Sequence, residues 1–434
     1  MSGRHDLDTL LREWSDLGGE RLPERFLNAA LLEVETVPQQ RGGMRLNVES
    51  WPAIYRFVAT GAAAAALALG PYIGLESLPT GELEATPSPP SSGSPEATAP
   101  SPREVAVGAR LELGGVTRVL RSDDDALWAA VNDSIVRIDP VTEEVRTVLV
   151  VPDLETACAD CRPTGLWSFD VYEGSAWVNY HREDESVIRR FDLETGAQLA
   201  EIALGEGGAG GGGADDVVAA FDSIWVVMCH SLTVARIDPA TNKQIALVDL
   251  GLASGFCPML GAISADSQLV WAGVAEPADS PNVGVLVGID PVRNEVVATI
   301  RTGSPPCGGV VFDGTTAWAA SCPDTGRRAI QRIDTAQQAV TSTLSLDGFA
   351  GDPVRHAGTI WVPVVEAGDS FGSGPGLLLG LDPRSGASVD SVVLGTDVPV
   401  NGRSAAAAIV AFDSLWVSGD AGTLLRIPLS ELER

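Results

Sequence analysis

Hydrophobic and polar positions between residues 217 and 251 alternate in a pattern that predicts four short β-strands in a row. The predicted strands span residues 217–221, 224–228, 232–238 and 244–250. Their apolar, partly β-branched composition is typical of strands that are buried on both faces. Asp238 and Pro239 open the turn before the last strand, where Asp suits the first turn position and Pro the second. Four antiparallel strands within about 35–40 residues match one blade of a β-propeller.

The same unit recurs from residue 104 to the C-terminus. Its tryptophan occupies seven positions that are 43 to 55 residues apart: Trp128, Trp177, Trp225, Trp271, Trp318, Trp361 and Trp416. A hydrophobic residue followed by Asp ends the third strand of six units, at Asp139, Asp192, Asp238, Asp290, Asp334 and Asp382. Period and count together predict an all-β fold, a seven-bladed β-propeller of four-stranded blades over residues 104–434, in which the tryptophans are packing anchors.

The two ends of the repeat region predict how the ring closes. The last unit stops after its third strand, at residues 423–427, and Pro428 replaces the usual Asp. Residues 105–113 resemble a fourth strand with no strands before it. We therefore expect residues 105–113 to pair with residues 423–427 and complete the last blade, which removes two exposed sheet edges.

The repeat resembles the bacterial YVTN-repeat and virginiamycin B lyase-like propellers, whose units run xxLWVxxxxxxxVxRIDPxTxxVxxxIxLG. The matching segments are IWVVMCHSLTVARIDPATNKQIALVDLG, and LVWAGV followed by VGIDPVRNEVVATIRTG. The resemblance covers about three-quarters of the chain. It implies a propeller, a fold that carries many unrelated activities.

Residues 1–50 are predicted to be a short helical cytoplasmic segment. Leu7, Leu10, Leu11 and Trp14 fall on one face of a first helix. Two helices of this size bury little core, so a cytoplasmic protein partner for residues 1–50 is possible. The layout resembles the leader of bacterial single-pass proteins, including the membrane-proximal anti-sigma type. The zinc-binding variety of that family has a His-x3-Cys-x2-Cys motif, which this chain lacks because no Cys precedes residue 158.

A membrane anchor is predicted for residues 51–76. Phe57 to Leu75 is a run of 19 residues without a charge, long enough to cross the hydrocarbon core. Arginines precede this run and glutamates follow it, which places the N-terminus in the cytoplasm and the repeats outside the cell membrane. A soluble helix is the alternative, because the run is rich in alanine. Residues 77–103, rich in Pro, Ser and Thr, are expected to be an extended linker.

The net charge of −29 is concentrated outside the cytoplasmic segment, since residues 1–56 hold 7 Lys+Arg and 9 Asp+Glu. So acidic a surface predicts that nucleic acid is not a partner. It favours cations, basic peptides or cationic small molecules, although solubility alone also accounts for it.

Binding residues are expected on the face that carries the loops between second and third strands and the connections between blades. Its candidates are His181, Arg182, His230, Glu276, Arg327 and Glu366. The lyase resemblance implies a His with a carboxylate and Mg²⁺, here His181 or His230 with Glu183 or Glu366. However, the Trp-Phe-Thr-Glu pattern of that enzyme is absent from all seven second strands. We therefore predict no catalytic residue, no metal site and no cofactor. His356 is expected in a turn on the opposite face, in a structural role.

All six cysteines follow residue 150, and an even number outside the cytoplasm suits disulfides. Cys307 is expected just before a first strand and Cys322 just after the second, so the pair Cys307–Cys322 is reasonable. The other expected pairs are Cys229–Cys257, between blades, and Cys158–Cys161, a CxxC that lacks the second CxxC of a zinc site.

These patterns favour a membrane-anchored extracytoplasmic propeller that binds or senses an extracellular ligand or protein without catalysis. Two alternatives stay open. One is a Mg²⁺-dependent lyase, and the other is a transmembrane anti-sigma-type regulator with an extracellular sensor.

Overall fold

The computed structural model describes residues 100–152, 166, 168–182, 185–206, 216–228, 231–252, 262–276, 283–321, 329–346, 348–366, 376–395, 407–419 and 422–433. These residues form thirty strands in seven sheets and one short 3-10 helix, Leu429–Glu431. They contain no helix that is long and apolar enough to span a membrane. The helical segment at 1–50 and the span at 57–75 lie outside this part of the chain and stay predictions.

The strands follow one another as a series of blades. An N-terminal arm, residues 100–113, contributes β1 (Arg103–Glu104) and β2 (Ala109–Glu112). Blade 1 contains β3 (Thr117–Ser122), β4 (Leu127–Val131), β5 (Ser134–Ile138) and β6 (Val145–Val150). Blade 2 contains β7 (Phe169–Tyr172), β8 (Ser175–Arg182), β9 (Glu185–Asp192) and β10 (Gln198–Glu206). Blade 3 contains β11 (Asp216–Ala220), β12 (Ser223–Met228), β13 (Thr233–Asp238) and β14 (Lys243–Asp249). Blade 4 contains β15 (Ala262–Ala265), β16 (Val270–Glu276), β17 (Val283–Asp290) and β18 (Glu295–Arg301).

The remaining blades complete the ring. Blade 5 contains β19 (Pro306–Asp313), β20 (Thr316–Ser321), β21 (Ala329–Asp334) and β22 (Ala339–Ser345). Blade 6 has a divided first strand, β23 (Gly348–Ala350) and β24 (Val354–His356), followed by β25 (Thr359–Glu366), β26 (Gly376–Leu381) and β27 (Ser388–Gly395). Blade 7 contains β28 (Ala408–Ala411), β29 (Ser414–Ser418) and β30 (Thr423–Pro428), with β2 as its fourth strand. The predicted seven-bladed propeller with four-stranded blades is confirmed.

The order of strands within a blade fixes which groups lie near the axis. The first strands of successive blades contact each other in an unbroken circuit: β3, β7, β11, β15, β19, β24, β28 and back to β3. They therefore surround the axis, and the fourth strands form the outer rim. Second strands lie inside the blade, and every residue of β12 is buried. Exposed and covered residues alternate along fourth strands, as in β14, because successive side chains point to opposite faces of the sheet.

The repeated tryptophans are buried anchors, as predicted. Each lies on the second strand of its blade, and the exposed fraction of the side chain ranges from 0% to 4%. Trp225 packs in a cluster with residues of blades 3 and 4 such as Val234, Val270 and Val287. The aromatic side chain thus fills the space between two neighbouring sheets, where it buries far more apolar area than an aliphatic residue would.

Ring closure is confirmed over a shorter segment than the sequence suggested. β2 pairs antiparallel with β30, from Ala109 opposite Arg426 to Glu112 opposite Thr423. The sequence also assigns residues 105–108 and Leu113 to this strand, and they lie outside it. Gly108 still donates a backbone hydrogen bond of 2.8 Å to Arg426, and before it β1 pairs parallel with β27, with Arg103 opposite Val392. The arm therefore completes blade 7 and also adds a fifth strand to the rim of blade 6.

The turns between first and second strands differ in detail from the sequence pattern. In blade 3 both Phe221 and Asp222 have positive φ, 52° and 53°, and β11 ends at Ala220. This geometry suits a two-residue hairpin because its twist matches that of the flanking strands. The predicted strand end at residue 221 is therefore one residue too late.

Bulges interrupt the fourth strands at the same place in several blades. In each case one residue has no opposite partner on the third strand: Leu199, Ile245, Val297 and Val389. These four side chains are 39% to 53% exposed. A bulge twists the outer edge, which discourages pairing with strands of other molecules.

Candidate functional site

The candidate binding residues that fall on described strands lie at one end of the ring. Second strands run in the same direction in every blade, so their C-terminal ends share one face, which we call the loop face. His181 and Arg182 end β8, Glu276 ends β16, and Glu366 ends β25. The structure describes the backbone of these four residues and not their side chains. His230, Glu183 and Arg327 lie outside the described residues.

Ser186 is a polar group of this region that the sequence did not single out. It lies directly opposite His181 across the β8–β9 ladder. Its side chain is 0% exposed, and its hydroxyl has no hydrogen-bond partner in the described structure. A buried hydroxyl normally has a partner, so Ser186 marks a position where water or a neighbouring loop group is expected.

An ion-pair network links the first strands of blades 1, 2 and 3 near the axis. The guanidinium of Arg121 on β3 lies 3.3 Å from Asp170 on β7 and 3.9 Å from Asp216 on β11. Asp170 accepts a hydrogen bond of 2.7 Å from the backbone N–H of Ala219, and Asp216 accepts one of 3.0 Å from Ile263. Each carboxylate thus binds an N–H group on the next blade.

The network explains how the inner edges of the blades are satisfied. A first strand is the inner edge of its sheet, so the N–H groups on its free side have no strand partner. The carboxylate of the preceding blade accepts a hydrogen bond from such an N–H group. Burial raises the pKa of Asp170, and the charge of Arg121 and the N–H groups of Ala219 and Val171 oppose this rise. Ser168 donates a short hydrogen bond to Asp216. The sequence signal was available, since Asp170 interrupts one apolar first strand and Asp216 begins the next.

A second network joins blades 5 and 6 and the C-terminus. Asp352 accepts a 2.7 Å hydrogen bond from the N–H of Gly309, and Arg355 lies 2.9 Å from Asp313. His356 ends β24, and its Nε2 lies 3.1 Å from Glu433. The sequence places His356 in the turn itself, whereas it is the last residue of β24, paired with Thr359, at the end of the blade away from the loop face. These contacts join first strands and chain ends, so they are scaffold contacts.

The arginines opposite the tryptophans are a further set that joins blades. The guanidinium carbon lies 4.9 Å from the tryptophan ring centroid for Arg190 and Arg236, and 5.5 Å for Arg426. Each also reaches the turn between third and fourth strands of the next blade. Arg190 donates a hydrogen bond of 2.6 Å to the carbonyl of Pro239, and the guanidinium of Arg426 lies 3.1 Å from the carboxylate of Glu143. Arg332 likewise donates 2.9 Å to Pro383. We call this arrangement the arginine clamp.

An open groove lies beside one of these clamps, on the face opposite the loops. Its lining residues come from blades 3 and 4: Phe221, Asp222, Arg236, Pro291 and Val292. Arg236 is already hydrogen bonded there to the Pro291 carbonyl and, at 2.9 Å, to Asn294. Arg236 and the Pro291 carbonyl are therefore used by the clamp between the blades.

Metal and disulfide predictions fall largely beyond the described side chains. Within the described residues, no group of three or more His, Cys, Asp or Glu side chains could hold a metal ion. His230 and Glu183 lie outside that search, so the Mg²⁺ alternative stays a prediction. Cys307 lies within β19 and not before it, which corrects the expected position. The side chain of Cys307 and the other five cysteines lie outside the part of the chain that the structure describes, so the three disulfides stay predictions.

Comparison with known proteins supports the fold. No protein-family model and no curated protein matches the sequence. Hydrazine synthase of Kuenenia stuttgartiensis is similar in structure, with 14% identity and a TM-score of 0.54 over 74% of this chain and 97% of that chain. A chain of the mitotic checkpoint complex is similar over 80% of this chain and 99% of its own, with 13% identity and a TM-score of 0.55. At such identities the likeness shows a β-propeller fold alone.

Proposed function

We propose that this protein is a membrane-anchored, extracytoplasmic propeller that binds or senses a ligand or protein at its loop face without catalysis. The observation that supports the proposal is which polar side chains already have partners within the propeller. The repeated Trp and Arg side chains, the turn aspartates and the first-strand carboxylates are engaged in contacts within or between blades. Glu276 and Glu366, which occupy the same position at the end of the second strand in blades 4 and 6, fall at the loop face.

Charge narrows the class of ligand. Of the net charge of −29, all but −2 belongs to the chain after residue 56, and the loop face candidates include two glutamates on alternate blades. Such a field raises the local concentration of cations and repels polyanions. We therefore expect a basic peptide or a cationic small molecule as the ligand class.

Thermal unfolding of the full-length chain in detergent tests this proposal. The probes are spermidine, a lysine- and arginine-rich decapeptide and Mg²⁺, each titrated at low ionic strength. A bound ligand stabilises the folded state by about 2.7 kcal/mol at 100 times its Kd. The double variant Glu276→Gln/Glu366→Gln should lose the shift, while Glu194→Gln, in a turn on the opposite face, should keep it. Equal shifts in both variants would place binding elsewhere, and no shift with any probe would count against a cationic ligand.

A further inference from the structure

Blades 4 and 6 have glycine, Gly288 and Gly380, where the clamp arginine lies in blades 2, 3, 5 and 7, and blade 6 is the one beside which the N-terminal arm packs. The residue opposite Trp361 on the third strand is Gly380. A Cβ at this position would lie 3.0 Å from Cζ3 of Trp361 and 3.2 Å from Cβ of Asp390, so a longer side chain does not fit without movement. An arginine contact from this third-strand position to blade 7 is therefore excluded, whereas the apolar contact of Leu378 with blade 7 remains.

An arginine from the N-terminal arm takes this place from the outside. Arg103 lies on β1, the strand added to the rim of blade 6. Its Nε and Nη2 lie 3.0 Å and 2.6 Å from the carboxylate of Asp390 on β27. Its Nη1 donates 2.9 Å to the carbonyl of Glu431, which follows β30 of blade 7. One side chain thus bridges the two blades, as the clamp arginines do elsewhere.

The rest of this segment makes few contacts. Val105 packs against the apolar cluster that joins blades 6 and 7, which includes Val392 and Leu425. The N–H of Ala106 lies 3.4 Å from the carboxylate of Glu431, and Val107 is 43% exposed. β1 contributes two ladder positions, whereas β2 contributes four. The segment before β2 is consequently held by the Arg103–Asp390 ion pair, the side chain of Val105, a short ladder and hydrogen bonds to Glu431 and, from Gly108, to Arg426.

We propose that residues 103–108 are a releasable strap, which clamps the seam between blades 6 and 7 in place of the missing third-strand arginine. Blades 6 and 7 bind the strap through its extended backbone, through Arg103 and, two residues later, through Val105. Because it continues directly from the residues before 103, any force or partner that acts on that preceding segment pulls first on β1. Release loosens this seam and uncovers the outer edge of β27, while β2 keeps the ring closed. The inference does not depend on the ligand of the loop face.

Hydrogen exchange of the full-length chain, followed by mass spectrometry, tests the strap. Arg103→Asp places two carboxylates together at the strap site, and Arg103→Gln is the milder variant. We expect exchange in β27 and β30 to become at least about fivefold faster, with β11–β14 of blade 3 unchanged, because the lost pair is local. The matched control is Arg293→Asp, which replaces an ion pair with Asp290 inside blade 4 by two carboxylates. It should leave β27 unchanged.

Two rescues separate a strap from a merely structural arm. The double variant Arg103→Asp/Asp390→Arg should restore protection of β27, because it rebuilds the pair in reverse. A peptide of residues 100–108, PSPREVAVG, added to the Arg103→Asp chain should also restore it, whereas the same peptide with alanine for arginine should not. Unchanged exchange in Arg103→Asp overturns the clamp. Equal acceleration in all blades, or failure of both rescues, overturns a local releasable strap.

Discussion

The guanidinium carbon of Arg236 lies 4.9 Å from the centroid of the Trp225 ring, directly across the β12–β13 ladder. The same guanidinium donates 2.9 Å to the hydroxyl of Ser223 and bonds the Pro291 carbonyl on the next blade. One arginine therefore covers the anchor of its own blade and holds the turn of the following one. The same relationship is found for Arg190 in blade 2 and Arg426 in blade 7.

Replacing Arg236 by alanine should destabilise the propeller by about 1–2 kcal/mol, because it removes a cation–π contact and hydrogen bonds to two blades. The measurement is the thermal midpoint of unfolding. Arg293→Ala is the matched control, since its ion pair with Asp290 is exposed and worth less than about 1 kcal/mol. Equal effects of the two variants would contradict the clamp.

Gly288 should resist enlargement, for a steric reason. It lies opposite Trp271, and a Cβ would approach Cζ3 of that ring to 2.9 Å and Cβ of Ala298 to 3.2 Å. Gly288→Ala should therefore cost about 1–3 kcal/mol by overpacking, despite the better strand propensity of alanine. A thermal midpoint at or above that of the unchanged chain would show that the tryptophan moves aside freely.

Ring closure should depend on Leu111 and hardly on Arg110. Leu111 packs against the cluster of blades 1 and 7 and lies opposite Leu424, whereas Arg110 is exposed. Leu111→Asn should lower the unfolding midpoint of the whole propeller, with faster hydrogen exchange in blade 3 as well as blade 7. Arg110→Asn should change stability by less than about 0.5 kcal/mol. Loosening confined to blade 7 would show that closure is not cooperative.

The lowered pKa values of the turn aspartates predict that the folded state loses stability at acidic pH. Hydrogen bonds from turn residues, Thr241 first and then Ala240, hold the pKa of Asp238 below its ordinary value. A carboxyl whose folded pKa is lowered stabilises the fold above its unfolded pKa, about 3.9, and loses this effect as pH falls through the folded value. The unfolding midpoints of the unchanged chain and of Asp238→Asn should therefore differ at pH 7 and converge below about pH 4. A constant difference would refute the role of the charge.

The loop face was partly predictable. Strand order alone places the ends of β8, β16 and β25 on one face, and the sequence located His181, Glu276 and Glu366 there. The buried hydroxyl of Ser186 could not be anticipated, because its burial depends on tertiary packing and not on the local pattern of β9.

Sequence by itself determined the repeat, because strands, turns and buried tryptophans depend on residues that are near one another along the chain. It also located the closing strand, since the sequence shows a last unit without a fourth strand and, before the first unit, a strand that belongs to no unit. The tertiary structure decided which residues meet across blades. Arg121 meets Asp170 and Asp216, and Arg103 meets Asp390, only once the ring sets neighbouring sheets side by side. Such contacts depend on the angle between blades, a property of the closed ring that local sequence patterns do not encode.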